Sequence, residues 1–231
     1  MRAKQQKAVI VLSGGMDSTT LAYLMQRKFG SVRALTFNYG QRHHREVDAA
    51  RAVARTLGME HTTISLQAAM PPLQSALLPG AGIDVPQGHY HEETMRQTVV
   101  PGRNVLMLTV AFMWACADGA SVVGMGIHAG DHFIYPDCRP RFARAYTRMI
   151  QLALSDQKVM PRLFTPFLNF SKTDILRKGQ ALHVDYAQTY TCYQGGAQPC
   201  GACGACTERA EAFREVGVTD PLLQLQAVPV S

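Results

Sequence analysis

Near the N-terminus, the apolar run Ala8-Val9-Ile10-Val11-Leu12 stops at Ser13-Gly14-Gly15, and a segment of helical spacing follows at once. A short run rich in branched residues reads as a buried strand, and two glycines read as a tight turn. From Ser18 to Phe29 the apolar positions Leu21, Leu24, Met25 and Phe29 share one helical face, and Gly30 closes the segment. Val32–Phe37 reads as a second strand, Glu46–Leu57 as a second helix and His61–Leu66 as a third strand. Strand alternating with helix demands parallel strands joined by crossovers. The predicted fold class is therefore α/β, a doubly wound parallel sheet. With 47% hydrophobic and 17% charged residues, the 231-residue chain can bury a core of that size and is not a disordered polymer.

Further on, Asn104–Asp118 reads as an apolar helix, Ser121–Ile127 as a buried strand, Arg141–Leu154 as a helix and Leu163–Leu168 as an extended run. Ser171-Lys172-Thr173-Asp174 resembles a capping box with Asp for Glu, and opens a helix to about His183. A last helix is expected over Thr207–Val216. Between about 69 and 97, Pro71, Pro72, Pro79, Gly80, Gly82, Pro86 and Gly88 break any periodicity. A lid-like loop is expected there. The division expected is residues 1–185 for the α/β domain and 186–231 for a cysteine-bearing, helical C-terminal segment. No long uncharged apolar run predicts a membrane span. The apolar stretch behind the basic start ends at Leu12, too early for a signal peptide core. The expectation is a cytoplasmic protein with reduced thiols, so the six cysteines are not read as disulfides. The net charge of +6 is spread without a basic block and decides between no partners.

Ser13-Gly14-Gly15-Met16-Asp17-Ser18 lies where open parallel sheets bind ligands, at the carboxyl end of the first strand. Glycines let successive N–H groups point at an anion, and the helix N-terminus adds its positive end. An ordinary turn with Asp17 or Ser18 as helix cap is the bland alternative. No Lys follows before Lys28, so this is not a Walker loop. The hexapeptide resembles the pyrophosphate loop S-G-G-x-D-S of the N-type ATP pyrophosphatases. That resemblance implies cleavage of ATP between its α and β phosphates, with AMP passed to a substrate oxygen. It implies nucleotide contacts at Val11, Leu12, Ser13, Gly14, Gly15, Met16, Asp17, Ser18, Thr19, Thr20 and Leu21, with Mg²⁺ beside Asp17.

Cys192, Cys200, Cys203 and Cys206 are spaced C-x7-C-x2-C-x2-C. Four thiolates at this spacing suit a closed structural zinc site, one Zn²⁺ per chain. An iron–sulfur cluster is the rival, and a redox CxxC leaves two cysteines unexplained. Cys116 reads as a small core residue, and Cys138 as a loop residue that can approach the site.

Other segments narrow the resemblance. Asn38-Tyr39-Gly40-Gln41-Arg42-His43, Val100-Pro101-Gly102-Arg103-Asn104, Tyr135-Pro136-Asp137-Cys138-Arg139-Pro140 and Thr191-Cys192-Tyr193-Gln194-Gly195-Gly196 are similar to segments of the 7-cyano-7-deazaguanine synthase family. The likeness runs from about Ala8 to Pro221, and is poor over 66–97 and after Pro221. Met16 stands where Leu is usual, and Tyr190 where Trp is usual. The resemblance implies that ATP, ammonia and 7-carboxy-7-deazaguanine give 7-cyano-7-deazaguanine through an adenylated carboxylate and then an adenylated amide. Catalytic roles then fall to Asp17, Arg103, Asp131, Asp137 and Arg139, and substrate contacts to Gln41, Arg42, Asn104 and Tyr135. For each Arg a surface ion pair is the plain alternative. His128 and His132 are read as loop histidines near the pocket, not metal ligands, and His43 and His44 as solvated or phosphate-adjacent. No stable nucleic acid partner is expected, and a homodimer is compatible with the sequence. Two other functions stay open. One is a tRNA-thiolating or other amidating enzyme of the same superfamily. The other is a zinc-stabilised RNA-binding module without turnover, for which aromatics interleaved with basic residues are missing.

Overall fold

A computed structural model of the chain describes residues 6–88 and 92–224. The basic residues at 1–5, part of the expected loop (89–91) and the tail from 225 lie outside the described residues. Five strands form one parallel sheet in the order β3-β2-β1-β4-β5. They are β1 (Lys7–Val11), β2 (Ser31–Asn38), β3 (Glu60–Ser65), β4 (Val122–Gly124) and β5 (Arg162–Phe164). The helices are α1 (Met16–Lys28), α2 (Arg45–Thr56), the single turn α3 (Glu92–Met95), α4 (Arg103–Asp118), α5 (Pro140–Ala153), α6 (Lys172–Ala181), α7 (Gly204–Val216) and the short α8 (Pro221–Gln224). The chain winds outward from β1 to β3, then returns to lay β4 on the other side of β1. The switch point of the sheet is therefore between β1 and β4.

Alternation along β1 divides the core. Val9 and Val11 join Leu35, Phe37, Val123 and the buried face of α4 and α5 (Leu108, Phe112, Tyr146, Ile150). Ala8, Ile10 and Leu12 join Ala34, Val122 and the face of α1, α2 and α6 (Leu21, Met25, Val53, Ile175). Residues one apart on a strand point to opposite faces, so a central strand apolar at every position is covered on both sides.

Several details differ from the sequence expectation. Strand β4 ends at Gly124 rather than Ile127. Beyond it, Gly126 passes so close to the main chain of Asp17 and Ser18 that a Cβ there would stand 3.2 Å from both. Helix α7 starts at Gly204, three residues early, so Cys206 rides in its first turn. The 69–97 segment has little regular structure, yet Ala76 N–H donates to Gln97 O (2.7 Å) and Arg42 N–H to Leu77 O (2.9 Å). Leu77, Leu78 and Met95 are buried in the larger core, which ties these parts of the segment down. Cys116 is half-buried rather than a core residue.

The stretch Arg96–Asp118 is long and apolar enough by composition to cross a membrane, with mean hydropathy 1.4. It is not one helix: Gly102, in the left-handed region at φ 74°, separates a short 3-10 turn from α4. The remaining 16 residues reach only about 24 Å, short of a hydrocarbon core of about 30 Å. Their apolar face packs on the sheet.

Candidate active site

The glycine turn is built for close approach. Gly14 has φ 91°, and a Cβ on it would stand 2.3 Å from Glu46 O and 2.7 Å from Ala50 N. Only glycine fits between β1 and the first turn of α2. Gly15 occupies the cap position of α1, and no side chain caps it. Ser18 Oγ instead accepts from the N–H groups of Ser13 and Gly14, both at 3.2 Å, and lies 3.0 Å from Ser13 Oγ. The loop thereby gathers amides and hydroxyls at a helix N-terminus, the arrangement that binds anions. Helix α1 starts at Met16, so neither Asp17 nor Ser18 is its cap.

A cleft of about 200 Å³ opens over this loop. At one end Lys172 Nζ lies 2.7 Å from Asp17 Oδ2 and 3.2 Å from Glu208 Oε2. His128 Nε2 lies 3.6 Å from Asp17 Oδ2 and 3.4 Å from Asp131 Oδ2, while its Nδ1 accepts from Gly130 N–H. The hydrogen is thus on Nε2, toward the carboxylates. Burial works to raise the Asp17 pKa, but Lys172, through its charge and its hydrogen bond, outweighs it and holds the carboxyl below its usual range. Burial works to lower Lys172, yet Asp17 and Glu208 keep its ammonium charged far above neutrality. Burial raises Glu208, against the pull of Lys172. Asp17 Oδ1 is buried without a hydrogen-bond partner.

The opposite wall carries Arg103, Tyr39, His43 and Glu46. Arg103 Nη1 donates to Tyr39 Oη at 3.1 Å. His43 is 3% exposed, not solvated, and burial with nearby Arg103 lowers its pKa to about 3, so the ring is neutral. Burial, reinforced by Asp17 and opposed by Arg103, pushes Glu46 up to about 8. The lining also has an apolar part, the floor, that includes Leu12, Phe37, Met107, Met125 and Ile127.

The cysteine segment closes the cleft. The Sγ atoms of Cys192, Cys200, Cys203 and Cys206 lie within 4.8 Å of one another and can hold a metal ion. Backbone N–H groups of Cys200 and Cys203 point at Cys192 Sγ and Cys200 Sγ, each at 3.3 Å, which favours thiolates. Gln87 of the 69–97 segment bridges to Cys203, and Val85 packs on the cluster. Tyr190 N–H donates to Gly14 O (3.0 Å), and Tyr190 Oη donates to Gly196 O (2.7 Å). Thr191, Tyr193, Ala205 and Glu208 enter the cleft from this segment. Arg209, buried against Asp220, donates to Thr191 Oγ1 (3.1 Å) and fixes it from behind.

Of the residues expected at the site, Val11, Leu12, Ser13, Gly15, Met16, Asp17, Ser18, Gln41, Arg103, Asn104, Asp131 and Tyr135 line the cleft. Gln41 also braces its own turn, accepting from Tyr39 N–H and donating to Phe37 O. Gly14, Thr19, Thr20 and Leu21 lie behind the loop, where Thr20 Oγ1 donates to Met16 O. Arg42, Asp137 and Arg139 do not line the cleft. Arg42 Nη2 donates to Ile83 O. The Asp137 carboxylate receives the N–H of Asn104 at the start of α4. The Arg139 guanidinium is engaged by the carbonyls of His132 (2.6 Å) and Phe133 (3.2 Å). Cys138 does line the cleft, buried beside Asn104 Nδ2. Sequence reasoning missed Lys172, Glu46 and Glu208; of its two readings of His43, solvated or phosphate-adjacent, burial in the cleft wall overturns the first. Lys172 carried a signal: a cation in the first turn of a helix opposes the helix dipole and needs another reason to be there.

A parallel sheet with an anion loop at its switch point, roofed by a metal-competent cysteine segment, defines an α/β fold of the adenine nucleotide alpha hydrolase type. The U34-tRNA thiolase NcsA from Methanococcus maripaludis, solved with its 4Fe–4S cluster, shares the fold with a TM-score of 0.51 at 17% identity, over 98% of this chain and 69% of that one. The family model for "Queuosine biosynthesis protein QueC" matches residues 7–217. The 7-cyano-7-deazaguanine synthase of Paracoccus denitrificans (strain Pd 1222) is 48% identical over 93% of this chain and 91% of its own. That of Methanoregula boonei is 47% identical over 94% and 98%. The chain belongs to the QueC family of 7-cyano-7-deazaguanine synthases, enzymes of queuosine biosynthesis.

Proposed function

We propose that the protein converts 7-carboxy-7-deazaguanine, ammonia and ATP to 7-cyano-7-deazaguanine, AMP and pyrophosphate. Supporting this above all is a family-wide match that includes the anion loop, set at the switch point beside Lys172 and Asp17. A carboxylate is a poor electrophile, and attack of its oxygen on the α-phosphorus turns it into a mixed anhydride. Ammonia then adds to the acyl carbon and AMP leaves. The amide oxygen repeats the attack on a second ATP, and loss of AMP with the amide protons leaves the nitrile.

In this reading the Ser13 and Ser18 hydroxyls, the first turn of α1 and the Lys172 ammonium take the charge of the departing pyrophosphate. The apolar floor takes the adenine. Arg103 faces the carboxylate end of the substrate, with Asn104 and Tyr135 beside it. Asp137 and Arg139 act as positioning residues: one secures the start of α4, the other the turn that carries Asp131. The unpartnered Asp17 Oδ1, with Asp131 on the other side of His128, would hold Mg²⁺, which would neutralise phosphate charge. Zn²⁺ fits the cysteines. Four thiolates about 2.3 Å from one ion stand ~3.8 Å apart, within the 4.8 Å limit seen, whereas a four-iron cluster gives each thiolate its own iron and spreads them further. The setting proposed is the cytoplasm, with free ammonia and a homodimer. Of the two other functions, neither tRNA thiolation nor mere RNA binding is favoured by relatives uniformly named for the nitrile-forming synthase.

The test is incubation with the carboxylate, ammonium and Mg-ATP, followed by mass spectrometry. Nitrile and AMP are expected; ADP in place of AMP, or no nitrile, sinks the reading.

A further inference from the structure

One wall of the cleft is a polar row graded from cation to anion. Tyr39 Oη accepts from Arg103 Nη1 at 3.1 Å and lies 3.4 Å from His43 Nε2. His43 Nε2 lies 3.6 Å from Glu46 Oε2. Glu46 differs from the other carboxylates of the cleft. Asp17 and Glu208 share Lys172, and Asp131 faces His128. Among the described residues no Lys or Arg nitrogen lies within 4 Å of the Glu46 carboxylate, and its neighbour His43 is neutral. A carboxylate withdrawn from water without a cation calls for N–H donors from elsewhere.

The substrate proposed above has such donors. A 7-deazaguanine keeps the N1–H and 2-amino group of guanine side by side on one edge, and carries its carboxylate away from them, on the five-membered ring. We infer that Glu46 selects the guanine-like base, its two oxygens accepting from N1–H and the 2-amino group, while Arg103 at the far end of the row receives the 7-carboxylate. The three contacts put Arg103 Nη1 and Glu46 Oε2 no more than about 10 Å apart, in reach of a fused two-ring base that hydrogen-bonds at both ends. In the ionised state that the two guanine donors select, the same carboxylate turns adenine away. The matching edge of adenine offers one donor and the N1 lone pair, and an anion facing that lone pair is repelled. ATP is thereby left to the apolar floor, and the two bases in the cleft do not exchange places.

This assignment rests on the proposed reaction, and its test separates the two. The unaltered protein is given the full substrate and its 2-desamino analogue, 7-carboxy-7-deazahypoxanthine, with AMP formation as readout. The analogue is expected to lose at least about 100-fold in kcat/KM, with the KM for ATP unmoved, because a buried acceptor is left unpaired. Glu46→Gln is expected to lose about as much on the full substrate and little more on the analogue, so that the preference collapses toward unity. Nitrile formed equally well from both bases by the unaltered protein overturns the Glu46 assignment and leaves the reaction standing. A folded Glu46→Gln that keeps the full preference does the same. No AMP from either base overturns both.

Discussion

Lys172 is the residue on which most of the cleft's charge balance depends. Buried between Asp17 and Glu208, it is the partner of two carboxylates that have little water to turn to. Lys172→Met is expected to destabilise the fold by about 3 kcal/mol, since removing one member of a buried ionic group strands the others. Nitrile formation should fall further than stability does. Thermal melts and AMP release check both; a variant that turns over normally removes Lys172 from the chemistry. Glu46 gives a prediction in pH. Its folded pKa of about 8 lies above the ordinary 4.5, so the folded protein binds the extra proton more tightly than the unfolded chain. Its contribution is complete below 4.5 and is lost as pH rises toward about 8. Measured on the ligand-free protein, the melting point of Glu46→Gln should therefore gain on that of the parent across this window. A constant gap would mean that Glu46 is no more buried than a surface acid. Neither residue was read as functional from the sequence. Lys172 was absorbed into a capping motif, and Glu46 stands on the polar side of an amphipathic helix, where carboxylates are ordinarily solvated. It faces a cleft completed by Thr191, Tyr193, Ala205 and Glu208, more than 140 residues further along the chain.

At the level of elements, the helix and strand order was readable because each signal is local. The alternation of apolar runs, the glycine turn after β1 and the box at Ser171 all lie within a few residues. In that box, Ser171 Oγ accepts from Asp174 N–H (3.1 Å), and Asp174 Oδ2 accepts from Ser171 N–H (3.0 Å). Ser171→Ala should cost about 1 kcal/mol, read as a shift in denaturant midpoint with an unchanged slope. A change in slope would instead mean altered cooperativity. Boundaries that depend on distant partners were less legible. Strand β4 stops early because its continuation packs on the loop after β1, and α7 begins early because its first turn carries Cys206. The cysteine spacing pointed to a metal; that the same segment supplies a wall of the cleft did not follow from spacing.

For the whole molecule, the proposed reading makes the cysteine segment the link between metal binding and nucleotide binding. Cys192 and Cys206 are flanked by residues that reach the cleft, and Tyr190 N–H holds the carbonyl of Gly14. Removing the metal with a chelator should lower the melting temperature and weaken ATP binding together. Calorimetry on the stripped protein checks this. Undiminished ATP affinity after complete metal loss would mean that the loop stands without its fastening. Metal analysis of the purified protein should return one zinc per chain and no iron.

The bond from Tyr190 to Gly14 also fixes an order of events during synthesis. Strand β1 and its glycine turn are translated before the amide that braces the turn, which lies 176 residues further along the chain. A chain stalled before that point carries the whole anion-binding hexapeptide and lacks the brace that holds it in shape. The turn is therefore expected to reach its final shape only once the cysteine segment has packed back onto it.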